Sequence, residues 1–134
     1  MTTLNFTETI HYQDDPAGIT ISVALWSGEK FFRTKAKVDP GAEVCLFENE
    51  IGLKLGLKVE QGESIILNTL AGSLEAFGHE VTFQTGELIF QSTVYFAKYP
   101  NLGRNILGRR GWTRNIMLAI VDNDNLLYLS AYDE

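Results

Sequence analysis

Residues 31–38 constrain this chain more than any other stretch. Phe32, Thr34, Ala36 and Val38 recur at every second position, with Arg33, Lys35 and Lys37 between them. That period places the first set on one face of a β-strand and the three cations on the other. The strand is therefore half buried, and it runs directly into an acid, Asp39. A fold built around it needs a sheet with one apolar face and one wet face.

The same period recurs along the chain. In residues 20–25, Ile21, Val23 and Leu25 share a face, and residues 26–30 read as a hairpin turn leading into 31–38. Further strands are predicted at 64–69, 74–85, 87–96, 116–121 and 126–130. Gly72, in Ala71-Gly72-Ser73, suits a turn because it takes a positive φ at little steric cost. Asp122-Asn123-Asp124-Asn125 reads as a second turn. One short helix is predicted over 48–55, with Ile51 and Leu55 on one face, Glu50 placed to pair with Lys54, and Gly56 as its stop. A further helical turn is predicted after Gly108. With no repeat, low-complexity tract or linker, the pattern predicts one all-β (mostly β) domain over 1–134, a partly closed barrel with one or two short helices.

Composition narrows the function classes. A formal charge of −6 disfavours general binding to nucleic acid or an anionic membrane. The single cysteine, Cys45, excludes an internal disulfide framework and fits a reducing, cytoplasmic setting. The first residues lack the basic and apolar regions of a signal peptide. No apolar stretch approaches the roughly 18 residues that span a bilayer.

Two short segments carry the chemistry: Val38-Asp39-Pro40-Gly41-Ala42 and Asn105-Ile106-Leu107-Gly108-Arg109. Asp-x-Gly at a strand end sets a carboxylate on a tight turn where backbone can approach a ligand. Alone it is a weak signal, since such turns are common. Here an amphipathic strand precedes it, a short helix follows, then a long hairpin region, then the second segment. In that order the segments resemble the retropepsin-like aspartic protease family, from about residue 30 to 121, with 1–29 as N-terminal strands or an extension.

The resemblance implies a single acid-protease lobe with Asp39 as the catalytic carboxylate. It implies that Gly41 and Ala42 in the turn, and Leu70, Ala71 and Gly72 in a flap-like hairpin, bind substrate. Glu43, Ile106, Leu107, Gly108 and Arg109 would support the turn, with Glu43 and Arg109 forming an ion pair. The chemistry needs two facing carboxylates sharing a proton around a water, one acting as base and one as acid. Each signature segment occurs once, so the chain supplies half a site, and a homodimer would complete it around a peptide or protein substrate. No cofactor or metal is called for, and neither a nucleic acid nor a membrane is an expected partner.

Pro40 departs from the family pattern, which has Thr or Ser after the Asp. Proline has neither the hydroxyl nor the backbone N–H of those residues. Two readings follow: an aspartic-type endopeptidase, or a non-catalytic dimeric module that binds peptide on the same fold. A third reading, anion or nucleic-acid binding, rests on Arg104, Arg109, Arg110 and Arg114 around Trp112, although such clusters more often make salt bridges.

Other signals are weaker. Cys45 with His79 suggests a thiol and its base, but Val44, Leu46 and Phe47 around the cysteine favour a buried small hydrophobe. Asp122 opens what resembles a calcium loop, but Leu127 and Asp133 stand where that loop needs Gly and Glu. Residues 103–110 have the glycine spacing of a phosphate loop without its Lys-Ser/Thr ending.

Overall fold

A computed structural model describes residues 1–133 of the chain. The predicted amphipathic strands form with the predicted faces. Strand β2 (Thr20–Ser27) pairs antiparallel with β3 (Lys30–Val38) in a register from Thr20↔Lys37 to Ser27↔Lys30. In β3, Ala36 and Val38 are buried and Phe32 and Thr34 half buried, while Arg33 and Lys35 are exposed. Both strands extend towards the turn, so the expected five-residue connection shrinks to Gly28-Glu29, with Gly28 at φ +59°.

The remaining elements, in chain order around this pair, are β1 (Glu8–His11), β4 (Leu46–Phe47), α1 (Asn49–Lys54), β5 (Glu63–Thr69), β6 (Gly72–Thr85), β7 (Leu88–Ala97), β8 (Ile106–Leu107), β9 (Ile116–Val121) and β10 (Leu126–Ala131). Seven strands make one sheet in the order β2-β3-β8-β4-β7-β6-β5. A further pairing of β2 with β6, from Ala24↔Gln84 to Trp26↔Thr82, curls this sheet on itself into a partly closed barrel. The other three strands form a second sheet, β1-β10-β9.

The apolar core joins the two sheets. Val23, Phe47, Phe83, Phe96 and Leu107 from the larger sheet meet Ile116, Leu127 and Leu129 from the smaller one. Phe47 and Phe83 pack edge to face with ring centroids 6.0 Å apart. Trp112 is fully buried, and its indole N–H donates to Thr85 Oγ1 at 3.0 Å, which satisfies both polar groups in the core.

Helix α1 lies inside the predicted span. Gly56, at φ +76°, ends it as expected: its N–H donates to the Leu53 carbonyl, and that of Leu57 to the Gly52 carbonyl. The anticipated Glu50–Lys54 pair is absent. Lys54 Nζ lies 4.8 Å from the centroid of the Phe32 ring instead, and Glu50 Oε2 accepts the Asn101 N–H at 3.4 Å. The helical turn expected after Gly108 is a single 3-10 turn, Thr113–Asn115. A similar turn, Asp122–Asp124, joins β9 to β10 and closes on Asn125 in the left-handed region at φ +55°. Among the described residues no helix is long and apolar enough to cross a membrane.

Candidate active site

Asp39 is held by the strand it terminates. Its N–H donates to the Leu107 carbonyl at 3.0 Å, continuing the parallel pairing in which Lys37 and Val38 face Ile106 and Leu107. Strand β8 lies between β3 and β4, parallel to the first and antiparallel to the second. The chain therefore leaves β3, turns at Asp39 and returns on the far side of β8.

The turn is built for a carboxylate. The Gly41 N–H donates to Asp39 Oδ1 at 3.1 Å, and the Ala42 N–H donates to the Asp39 carbonyl at 3.0 Å. Pro40 occupies the exposed corner, where the turn uses no N–H of its own. Asp39 is half exposed.

Residues 42–44 then run beside residues 108–110. The Arg109 N–H donates to the Ala42 carbonyl and the Arg110 N–H to the Glu43 carbonyl, each at 2.9 Å. Gly108 makes this approach possible, because a Cβ there would stand 2.1 Å from the Val44 carbonyl oxygen. The expected Glu43–Arg109 ion pair does not form. Arg110 Nε lies 3.9 Å from Glu43 Oε1, with both side chains more than half exposed. Both arginines are exposed, and it is Arg110, whose N–H bonds the Glu43 carbonyl and whose backbone bridges Val44, that reaches the carboxylate.

A cleft of about 390 Å³ opens between this turn and the β5–β6 hairpin. Gly41, Ala42, Glu43 and Val44 form one wall and residues 66–69 of β5 the other, over a floor of Leu46 and Ile106. The hairpin is tight, with Thr69 paired to Gly72 across Leu70-Ala71 and the Thr69 hydroxyl donating to the Gly72 carbonyl at 2.7 Å. Leu70, Ala71 and Gly72 form the exposed tip and do not line this cleft, whose flap-side wall is the rising strand. Residues 66–69, not the tip, thus face residues 41–44 across the cleft. Leu107 and Gly108 are buried behind the turn, and Ile106 reaches the floor.

Solved structures share this architecture. A retropepsin-like aspartic protease from Rickettsia conorii aligns with a TM-score of 0.67 at 17% identity, over 95% of this chain and 96% of that one. The EIAV protease, solved with the inhibitor HBY-793, aligns with a TM-score of 0.52 at 19% identity, over 67% of this chain and 80% of that one. The chain has the retropepsin-like fold. No protein-family model and no curated protein matches it by sequence.

Within this retropepsin-like lobe, one residue at the site escaped the sequence reading. Asn105 is 4% exposed. Its Oδ1 accepts the Glu48 N–H at 2.9 Å, while its Nδ2 donates to the Lys35 carbonyl at 3.0 Å and to Thr34 Oγ1 at 3.3 Å. It ties β3 to the start of α1 just before β8 enters the sheet. The available signal was its position next to Ile106-Leu107-Gly108, where a polar side chain adjoining a buried strand must find partners.

The lobe also disposes of two sequence alternatives. Cys45 is fully buried, and burial pushes its thiol up to about 12, against a weaker pull down from the Gly108 backbone, so it is not a thiolate nucleophile. His79 points elsewhere, its Nε2–H donating to the Val59 carbonyl at 2.8 Å. The arginines clustered in sequence separate in space. Arg110 adjoins Glu43, Arg104 and Arg114 line different cavities, and Trp112 lies in the core rather than among them. Among the described residues no group of three His, Cys, Asp or Glu side chains is placed to hold a metal.

Proposed function

We propose that this protein is an aspartic-type endopeptidase that works as a homodimer, each copy contributing Asp39 to a shared dyad. The observation that carries the reading is the cleft itself. Residues 41–44, which directly follow Asp39, face strand β5 across an open space of about 390 Å³ floored by Leu46 and Ile106, with Asp39 just outside its lining. In the dimer, two facing carboxylates hold one proton between them. The charged member takes a proton from water as it attacks the peptide carbonyl, and the protonated member gives its proton to the amide leaving group. The flap excludes bulk water and offers backbone hydrogen bonds to an extended peptide.

Strand β9 supports the assembly. It is an edge of the three-stranded sheet, and its sequence, Ile-Met-Leu-Ala-Ile-Val, carries no charge and no proline. Protected edges normally carry one or the other. Ile120 and Val121 are 41% and 40% exposed. Antiparallel addition of a second copy along this edge would cover them and continue the sheet.

Pro40 favours the second reading, a dimeric peptide-binding module without catalysis. It provides no hydroxyl to brace the partner's turn, leaving the Gly41 N–H as the donor that orients Asp39. Incubation of the wild type, Asp39→Asn and Pro40→Thr with an unfolded protein from pH 3 to 7 separates the two readings. Cleavage by the wild type that Asp39→Asn abolishes supports the endopeptidase. Cleavage that persists in Asp39→Asn removes Asp39 from the mechanism. Peptide binding without cleavage supports the module.

A further inference from the structure

Two of the three cations that alternate along the outer face of β3 acquire a partner that the sequence does not place near them. Lys35 and Lys37 line a groove of about 460 Å³ together with Arg104, which reaches it from the loop before β8. Glu48 is the one acid on its walls. No ion pair engages Lys35, Lys37 or Arg104 among the described residues. In a chain of net charge −6, this is a local excess of positive charge, three cations against one acid.

The groove is also structured. Lys37 is half buried, and its stem crosses Gly18 so closely that a Cβ there would stand 2.9 Å from Lys37 Cε. The packed stem leaves its ammonium with less rotamer freedom to lose on binding. The floor is Asn105, buried and fixed by its three hydrogen bonds. Arg104 supplies a planar fork suited to two oxygens at once, and the lysines supply point charges.

We propose that this groove is a binding site for a small oxyanion carrying at least two negative charges, presented as a phosphate group or as paired carboxylates. The overall negative charge works against long polyanions, whose many phosphates lie beyond the patch, and for a compact ligand that neutralises it locally. The site lies on the outer face of the strand that ends at Asp39 and is independent of whether the dyad is active.

The test uses the full chain in a low-salt buffer free of phosphate and carboxylates. Inorganic pyrophosphate and citrate are titrated separately, followed by calorimetry and by amide chemical shifts. Saturable binding is expected, with shifts centred on Lys35, Lys37 and residues 103–105, weakening as salt is added. Lys37→Gln and Arg104→Gln should each weaken it about tenfold or more, while Arg114→Gln, beside a different cavity, should leave it unchanged. Unaltered thermal unfolding of each variant guards against a folding defect. Preference for pyrophosphate assigns a phosphate ligand, and preference for citrate a polycarboxylate. Absence of saturation by both probes up to about 10 mM, or binding unaffected by both groove substitutions, overturns the proposal.

Discussion

A Cβ on Gly108 would stand 2.1 Å from the carbonyl oxygen of Val44. That distance states how the second signature segment works. It does not hold the Asp turn by charge, since among the described residues Arg109 forms no ion pair, and the Glu43–Arg110 pair is long and exposed. Instead it lets two backbones close on each other, joined by hydrogen bonds from Arg109 and Arg110 to Ala42 and Glu43.

Gly108→Ala is therefore expected to destabilise the fold by more than about 2 kcal/mol, because backbone, not a flexible side chain, must move. Arg109→Ala should change stability by no more than about 0.5 kcal/mol, as a surface substitution away from any cap or network. Denaturant unfolding of both variants checks the contrast. Equal, large losses would restore the ion-pair explanation.

The alternation of β3 was legible because a nine-residue strand gives four repeats of its period. Strands β4 and β8, of two residues each, give none, and only their pairing across the sheet reveals them. Strand β1 hid for another reason. Its four residues, Glu-Thr-Ile-His, hold one aliphatic side chain, so the tertiary partner β10 decides its state. The candidate site divides the same way. The Asp39 turn and the buried Leu107-Gly108 follow local rules, whereas the approach of Arg110 to Glu43, and the lining of the cleft by residues 66–69, depend on tertiary packing. Trp112 misled because arginines flank it in sequence, although its ring enters the core.

A pH-dependent contribution comes from Glu75 on β6. The Ser64 hydroxyl, donating to Glu75 Oε2 at 2.8 Å, and then Lys98, 3.3 Å from Oε1, hold its carboxyl below the usual range. A depressed folded value means that the unfolded chain binds the proton first. The stabilisation is thus complete above the unfolded value, near pH 4.3, and is lost as pH falls through the folded one. Lys98 is raised by the same carboxylate, so its share is present below its unfolded value and disappears as strongly alkaline pH carries it through the folded one. Melting curves of the wild type and Glu75→Gln should differ most near neutrality and converge under acid. A constant difference down to about pH 2 would show that the pair contributes nothing through its charge.

The exposed edge of β9 makes assembly sensitive to charge. Lysines at positions 120 and 121 would face one another across an antiparallel pairing of two copies, where like charges oppose association. The double variant Ile120→Lys, Val121→Lys is expected to sediment as a monomer under conditions where the wild type is a dimer. A wild type that is monomeric at high micromolar concentration would sink the dimer. A dimeric double variant would move the interface elsewhere.

The proposed chemistry rests on Asp39 and on its neighbour. If two copies bring their carboxylates together, one must be charged and one protonated for turnover, so the rate should rise and fall with pH about an acidic optimum. Asp39→Asn removes the base and should abolish cleavage, lowering the rate by several orders of magnitude, while leaving the fold intact, since an amide oxygen can still accept the Gly41 N–H. Pro40→Thr restores a hydroxyl at the corner of the turn and the possibility of a contact across the dimer. Misplacement of catalytic groups by about 1 Å is worth on the order of 10²-fold in rate, and that is the scale of gain to look for. The variant also frees a backbone torsion that proline fixes, so its melting temperature must be read beside its activity. Faster cleavage by Pro40→Thr at unchanged stability would identify the missing brace as the limit on the natural protein's activity. A rate unchanged from a measurably active wild type would show that the Gly41 N–H alone positions the carboxylate well enough for catalysis.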